Sequence, residues 1–375
     1  MRLHHCRERR EKMFQYHPMD KQIKRCGRML ENQGLLFMAY SGSYLEFSEH
    51  AGAVDVWVLG ETPKEEKNQN AYLGVVKDGR LLKKMKVLDG LHRYPLCDGT
   101  EEGNGRIRLV KLTEEQYGAV GIQSVYTEKE LENRKESRKK LLFIGDSITA
   151  GYGTDGKNGD AFRTETENVM KAYPWILAER FKADCHILAV SGSGVLSRWI
   201  SPEEDCPFTE GLLPKVVSHS AYYLEKRRRL KDVPLWDERR FQPDAVILNL
   251  GTNDASYTRN ITKREELFQD RYEEFLMSLS RSYPRAVLVC VYGMMEKSLT
   301  GRVEQAVASV RAQGIQAEFA ELSLQDPTRN GMGVDCHPSG KTHIEAAQQL
   351  EHVLKPILEG KETKGMTEEK QNEQL

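Results

Sequence analysis

Ser147 ends the stretch Leu141-Leu142-Phe143-Ile144-Gly145-Asp146-Ser147, four apolar residues running into Gly-Asp-Ser. A serine on such a strand-to-helix turn presents its hydroxyl at the top of an α/β sheet. The glycine is expected to take backbone angles that a side chain forbids. A hydroxyl attacks a carbonyl carbon only if its proton leaves as the new bond forms. A neutral imidazole in hydrogen-bond reach takes that proton and later returns it to the leaving alcohol. His337, in Asp335-Cys336-His337-Pro338-Ser339, is the candidate base. A carboxylate or a carbonyl must hold the other ring nitrogen in the right tautomer, and Asp335 is the near candidate. The oxygen that gains negative charge needs fixed donors, each worth about 2.7–4 kcal/mol. The backbone N–H groups of Ser147 and Gly192 and the side-chain amide of Asn253 are three such donors. Together these residues specify acyl transfer from an ester to water, a reaction that calls for no metal and no organic cofactor.

For these residues to meet, the chain must bring four loops to one rim. Leu141–Ile144 reads as a buried strand, and Cys185-His186-Ile187-Leu188-Ala189-Val190 as a second that ends in Ser191-Gly192-Ser193-Gly194. A third, Asp244-Ala245-Val246-Ile247-Leu248-Asn249-Leu250, ends in Gly251-Thr252-Asn253-Asp254. Ala286–Val291 and Gln316–Leu322 complete the set. Between them lie helical patterns: about 166–182; Phe268, Tyr272, Phe275 and Leu279 on one face; Val303, Ala306, Val307 and Val310 on another. After His337, Ser339 is placed to cap a helix carrying Ile344, Ala347, Leu350 and Leu354. Strands alternating with helices imply a parallel sheet covered on both faces, with its ligand crevice beyond the carboxyl ends of the strands. Residues 198–243 are a long insertion. Its Tyr222, Tyr223 and Trp236 either stack on a sugar ring or pack the insertion down. Its Arg227-Arg228-Arg229 run reads as a solvated helix face. The glycine-rich Gly151-Tyr152-Gly153-Thr154-Asp155-Gly156 lacks the Gly-Lys-Ser/Thr ending of a phosphate cradle.

The first part of the chain has a different texture. Leu36–Tyr40, Tyr44–Phe47, Val54–Leu59, Tyr72–Val76, Arg106–Leu112 and Val120–Ile122 are short runs rich in β-branched and aromatic residues. Asp78-Gly79 is a hairpin-turn signal. Such a series predicts an antiparallel sandwich, serving as a scaffold or as a platform for an extended ligand.

Across 375 residues the formal net charge is -1, with 55 basic and 56 acidic side chains, so no global field favours nucleic acid or an anionic membrane. Ten histidines and seven cysteines are scattered without a C-x-x-C pair, which argues against a disulfide framework. No run of about 20 apolar residues is present to span a membrane, and residues 1–10 lack the apolar core of a signal peptide. The expectation is a protein of the cytoplasm.

The blocks Gly145-Asp146-Ser147, Gly192, Gly251-Thr252-Asn253-Asp254 and Asp335-Cys336-His337-Pro338 resemble, in order and spacing, the four blocks of the SGNH hydrolase superfamily, also called the GDSL esterases. A closer likeness is to carbohydrate esterase family two. It is carried by Tyr40-Ser41-Gly42-Ser43-Tyr44-Leu45-Glu46-Phe47, Val110-Lys111-Leu112-Thr113-Glu114, Gly145 to Gly153 and Leu235-Trp236-Asp237. That resemblance implies a jelly-roll sandwich followed by a flavodoxin-like SGNH domain. The segments would be an N-terminal arm (1–33), sandwich (34–132), linker (133–140), hydrolase domain (141–358) and disordered tail (359–375). It implies a serine esterase that removes O-acetyl groups from xylan, glucomannan or derived oligosaccharides. Ser147 would be the nucleophile, His337 the base, and Gly192 and Asn253 part of the oxyanion hole. The superfamily's aspartate precedes its histidine by three positions; Asp335 precedes His337 by two, so a carbonyl in a Ser-His dyad stands beside the carboxylate as orienter. An SGNH esterase acting on a lipid or other small acyl ester, and a carbohydrate-binding protein without catalysis, are the alternatives.

Overall fold

The computed structural model describes residues 13–47, 52–61, 69–99, 106–133, 137, 139–226, 230 and 233–372, with side chains through 360. The chain divides into two compact units. One comprises Met1–Glu136, Arg163–Glu165 and Ser220–Val233; the other comprises Ser137–Phe162, Thr166–His219 and Pro234–Leu375.

Among the described residues the first unit is built on eleven antiparallel strands: β1 (Phe14–Tyr16), β2 (Lys24–Cys26), β3 (Met29–Asn32), β4 (Leu35–Met38), β5 (Tyr44–Phe47), β6 (Val54–Glu61), β7 (Tyr72–Lys77), β8 (Arg80–Lys86), β9 (Gly90–Cys97), β10 (Ile107–Lys111) and β11 (Ala119–Thr127). They form one sheet of order β3-β4-β11-β6-β9, with β1 added on β11, and a second of order β2-β5-β10-β7-β8. Val54, Val56 and Val58 of the first sheet share one buried cluster with Leu45, Leu73, Val75 and Leu109 of the second. Two sheets burying their inner faces on each other are a sandwich. Asp78 (φ 50°) and Gly79 (φ 77°) turn β7 into β8, the paired left-handed angles of a two-residue hairpin.

The sandwich begins earlier than its sequence pattern indicates. Residues 14–32 contribute three strands where an arm is expected. These strands have only three or four residues each and little alternation, so pairing with β11, β5 and β4 defines them. β8 is also unmarked in the sequence. It is an edge strand bearing Arg80, Lys83, Lys84 and Lys86, and charge on an edge discourages further pairing.

The second unit holds a parallel sheet of β12 (Lys140–Gly145), β13 (Asp184–Ala189), β14 (Ala245–Asn249), β15 (Val287–Tyr292) and β16 (Ala317–Glu321). Its order is β13-β12-β14-β15-β16. All four neighbouring pairs are parallel. β12, β13 and β14 are buried along almost their whole length, as strands covered on both faces must be. The helices are α1 (Ser147–Ala150), α2 (Tyr173–Phe181), α3 (Thr252–Thr258), α4 (Thr262–Ser282), α5 (Thr300–Ala312) and α6 (Gly340–Asn372), with several single turns between them. α4 buries Phe268, Tyr272, Phe275 and Leu279, and α5 buries Val303, Ala306, Val307 and Val310, as their spacing predicts.

Three local expectations change. The helix expected over 166–182 starts only at Tyr173, with Pro174 in its first turn; Asn168 caps a separate 3₁₀ turn, Val169–Lys171, before it. On α6, Ala347, Leu350 and Leu354 are buried but Ile344 is 44% exposed. The same helix runs on to Asn372, into the segment expected to be a disordered tail; Glu, Lys, Gln and Met are all good helix formers.

In the insertion, Tyr222, Tyr223 and Trp236 are buried, which favours packing over a sugar platform. Tyr222 and Tyr223 meet edge to face, and Trp236 packs edge-on against His186. The Arg227-Arg228-Arg229 run and half of the 133–140 linker (134–136 and 138) lie outside the described residues. Among the described residues no helix is long and apolar enough to cross a membrane.

Candidate active site

The strand order reverses direction of connection between β12 and β14, the switch point where an open parallel sheet leaves its crevice. Ser147 follows β12, Gly192 follows β13, Asn253 follows β14, and His337 precedes α6.

Gly145 is required by space, and its φ is not positive. A Cβ there would lie 2.0 Å from Thr149 Oγ1 and 3.0 Å from the Asn249 carbonyl. Asp146 then stops the strand and starts the helix: its Oδ1 accepts from the Ile148 N–H at 3.0 Å, an N-cap that fixes Ser147 as the first residue of α1. Thr149 Oγ1 is 2.9 Å from the Tyr173 hydroxyl, and the Tyr173 N–H donates to His343 Nδ1 at 3.3 Å. Burial pushes His343 down to about 3, so that ring stays a neutral acceptor beneath the turn.

On the opposite loop, Asp335 and Cys336 both adopt left-handed backbone, with φ of 50° and 59°. This brings His337 Nε2 to 2.8 Å from Ser147 Oγ. His337 Nδ1 lies 3.1 Å from the carbonyl oxygens of both Val334 and Asp335. Carbonyls only accept, so Nδ1 carries the ring proton and Nε2 is left to receive the serine's. Burial lowers the pKa of His337 below its ordinary 6.5, opposed by the two carbonyls and by the Asp335 charge. The base is therefore neutral at and above neutral pH.

Asp335 does not hold the ring through its carboxylate. That carboxylate accepts from the Tyr152 hydroxyl at 2.8 Å, and Asp335 reaches the imidazole through its main-chain oxygen instead. The consecutive left-handed residues turn the main chain toward the imidazole, and Tyr152 takes up the side chain. Of the two orienters open from sequence, the structure has the carbonyl.

Gly192 has φ +76°, the left-handed region that favours glycine, while a Cβ there would meet only Arg198 at 3.4 Å. Among the described residues the N–H groups of Ser147 and Gly192 form no hydrogen bond. The Gly192 carbonyl, in contrast, is fixed by the Trp199 N–H at 2.9 Å, and the Ser191 carbonyl by the Arg198 guanidinium at 3.0 Å. Asn253 Nδ2 sits 3.0 Å from Asp146 Oδ2 and 2.9 Å from the Ser193 carbonyl. The amide thus ties the turns after β12, β13 and β14 together, and donation to a substrate oxygen would share one of these hydrogens.

Two acids with no role assigned from sequence build this scaffold. Asp146 caps α1 and receives Asn253. Asp254 is fully buried, and its Oδ1 accepts from the N–H groups of Val195, Leu196 and Ser197 at 2.7–3.1 Å, which shapes the loop beyond Gly192. Burial lifts the Asp254 carboxyl to about 6 against the pull of those donors. The Asp-Ser-Ile sequence of an N-cap was a legible signal for Asp146; nothing local marks Asp254. Among the described residues, no group of three or more His, Cys, Asp or Glu is arranged to hold a metal ion.

A serine hydroxyl against a neutral imidazole at the carboxyl edge of a parallel α/β sheet is the arrangement that serine hydrolases use. The chain belongs to the GDSL-like lipase/acylhydrolase family, whose pattern matches residues 143–343. Residues 26–134 match the carbohydrate esterase 2 N-terminal domain. It is 28% identical over 330 residues to the cellulase/esterase CelE of Acetivibrio thermocellus, covering 85% of this chain but only 37% of that protein. It is 23% identical over 302 residues to an acetylxylan esterase/glucomannan deacetylase of Cellvibrio japonicus, covering 79% of each. Among solved structures, a family two carbohydrate esterase from Clostridium thermocellum in complex with cellohexaose superposes with TM-score 0.76 at 26% identity, covering 89% of this chain and 98% of that one. The acetyl xylan esterase Est2A from Butyrivibrio proteoclasticus shares the fold, with TM-score 0.81 at 21% identity over 91% of this chain and 97% of that one.

Proposed function

We propose that this chain is a serine esterase that removes O-acetyl groups from carbohydrate, with Ser147 as nucleophile and His337 as general base and acid. The observation that carries the reading is the 2.8 Å contact between His337 Nε2 and Ser147 Oγ, with Nδ1 committed to carbonyl acceptors. Ser147 Oγ attacks the acetyl carbon as its proton passes to Nε2. The carbonyl π electrons move onto oxygen, facing the N–H groups of Ser147 and Gly192 and the Asn253 amide. Collapse of the intermediate breaks the bond to the sugar oxygen, which takes the proton from Nε2. The acetyl group is left on Ser147. Water, deprotonated by the same imidazole, attacks the acetyl-serine; the bond from the acetyl carbon to Ser147 Oγ breaks, acetate leaves and Nε2 returns the proton to the serine oxygen. Without a carboxylate on Nδ1, the imidazolium that forms on the way is held by two carbonyl dipoles.

The sugar preference is supported by the match of residues 26–134 to the carbohydrate esterase domain and by the relatives' named substrates. The test is acetate release from acetylated xylo-, manno- and cello-oligosaccharides, measured against esters of longer acyl chains. The expected result is turnover of at least one acetylated sugar at a kcat/KM at least about tenfold above any long-chain ester, a difference of about 1.4 kcal/mol in barrier. A preference for long acyl chains would move the assignment to lipid-like esters. Sugar binding without acetate release would make the chain a binding protein.

A further inference from the structure

Tyr152 joins the two halves of the reacting pair. Its ring stacks on Phe162 with centroids 3.8 Å and planes 7° apart, and the His337 ring lies 4.3 Å from its centroid at 35°. Its hydroxyl donates to Asp335 Oδ2 at 2.8 Å, and its N–H donates to the Ser147 carbonyl at 3.1 Å. The same two loops meet again close by. The Val334 N–H donates to the Gly153 carbonyl at 3.2 Å, and the Cys336 N–H to Asn158 Oδ1 at 3.2 Å.

We propose that Tyr152 is the positioning residue of the general base: its ring sets the plane of His337, and its hydroxyl keeps the Asp335 carboxylate off Nδ1, so that main-chain carbonyls remain the acceptors. The proposal rests on the Ser147–His337 reading and adds what fixes the basicity of the imidazole. A carboxylate on Nδ1 would favour the charged ring and raise its pKa more than a carbonyl does. The base would then be protonated over more of the range below neutrality. Among the described residues, the titratable or polar groups that touch His337 or act on it electrostatically are Asp335 on its own loop, Tyr152 and Ser147 on the nucleophile turn, and His343 on α6, while the Cys336 thiol turns to Asn158. Asp335 is the carboxylic acid of that described set, and the Tyr152 hydroxyl bonds it.

The test compares wild type, Tyr152→Phe, Asp335→Asn and the double variant. The readouts are the acid limb of kcat/KM with nitrophenyl acetate and the NMR titration of His337 in each full-length protein. Wild type should place this limb below pH 6.5. Tyr152→Phe keeps the stack but releases the carboxylate, and should move both the limb and the titration up by ~0.5–1 pH unit. KM on the alkaline plateau should change less than about twofold, and the upward shift should vanish in the Asp335→Asn background. Superimposable Tyr152→Phe and wild-type titrations would overturn the proposal, and so would a shift that persists without the carboxylate. Failure of the underlying reading looks different: ester turnover would then be indifferent to Ser147, while the titration still reports on Tyr152.

Discussion

Ser147→Ala should abolish hydrolysis of a nitrophenyl acetate, with kcat falling at least ~10⁴-fold, the scale on which loss of a serine nucleophile acts in enzymes that use one. The folded state should be almost unaffected. Ser147 Oγ is bonded to His337, and one hydrogen bond contributes about 1 kcal/mol. The N-cap on α1 comes from Asp146, which the substitution leaves in place. Thermal unfolding should therefore move by no more than a few degrees while activity disappears. A variant that keeps turnover would identify another nucleophile, and one that loses both activity and fold would say nothing of the hydroxyl but would contradict this view of the turn.

The second large effect is a contrast. His337→Ala should cost about as much as loss of the serine, because the two act as one unit and their losses do not add. Asp335→Asn should cost less than about tenfold, since the carboxylate faces Tyr152 and the main-chain oxygen that meets Nδ1 survives the change. An asparagine oxygen still accepts from the Tyr152 hydroxyl, so the loop keeps its shape. Kinetics of the two variants, at a pH above the imidazole titration, separate a dyad from a carboxylate triad. Equal losses would restore the triad and would require Asp335 to move onto the ring during turnover.

What was legible in the sequence divides along a physical line. The blocks around Ser147, Gly192, Asn253 and His337 each follow or precede a strongly apolar strand or a periodic helix, and a parallel sheet has one carboxyl edge where such residues meet. The role of Asp335 was not legible, because it depends on two successive left-handed residues, neither of them glycine. Tyr152 was hidden in a glycine-rich loop, and Asp254 beside a more conspicuous asparagine; both act through partners far away in the chain. The reason for Gly145 also differed from the expectation, being closeness to Thr149 and Asn249. In the sandwich, β6 and β10 announce themselves by alternation, whereas β1 and β2 exist through pairing with strands further along the chain and β3 through a hairpin with β4. Short segments of that kind carry too little local signal to be read in isolation.

The imidazole of His337 is expected to make the hydroxyl of Ser147 unusually reactive. That expectation is tested most directly by phosphonylating the protein with a fluorophosphonate and locating the adduct by peptide mass spectrometry. One adduct is expected, on Ser147, formed in proportion to the loss of esterase activity and absent from His337→Ala. Labelling at another residue, or inactivation with Ser147 unmodified, would contradict it.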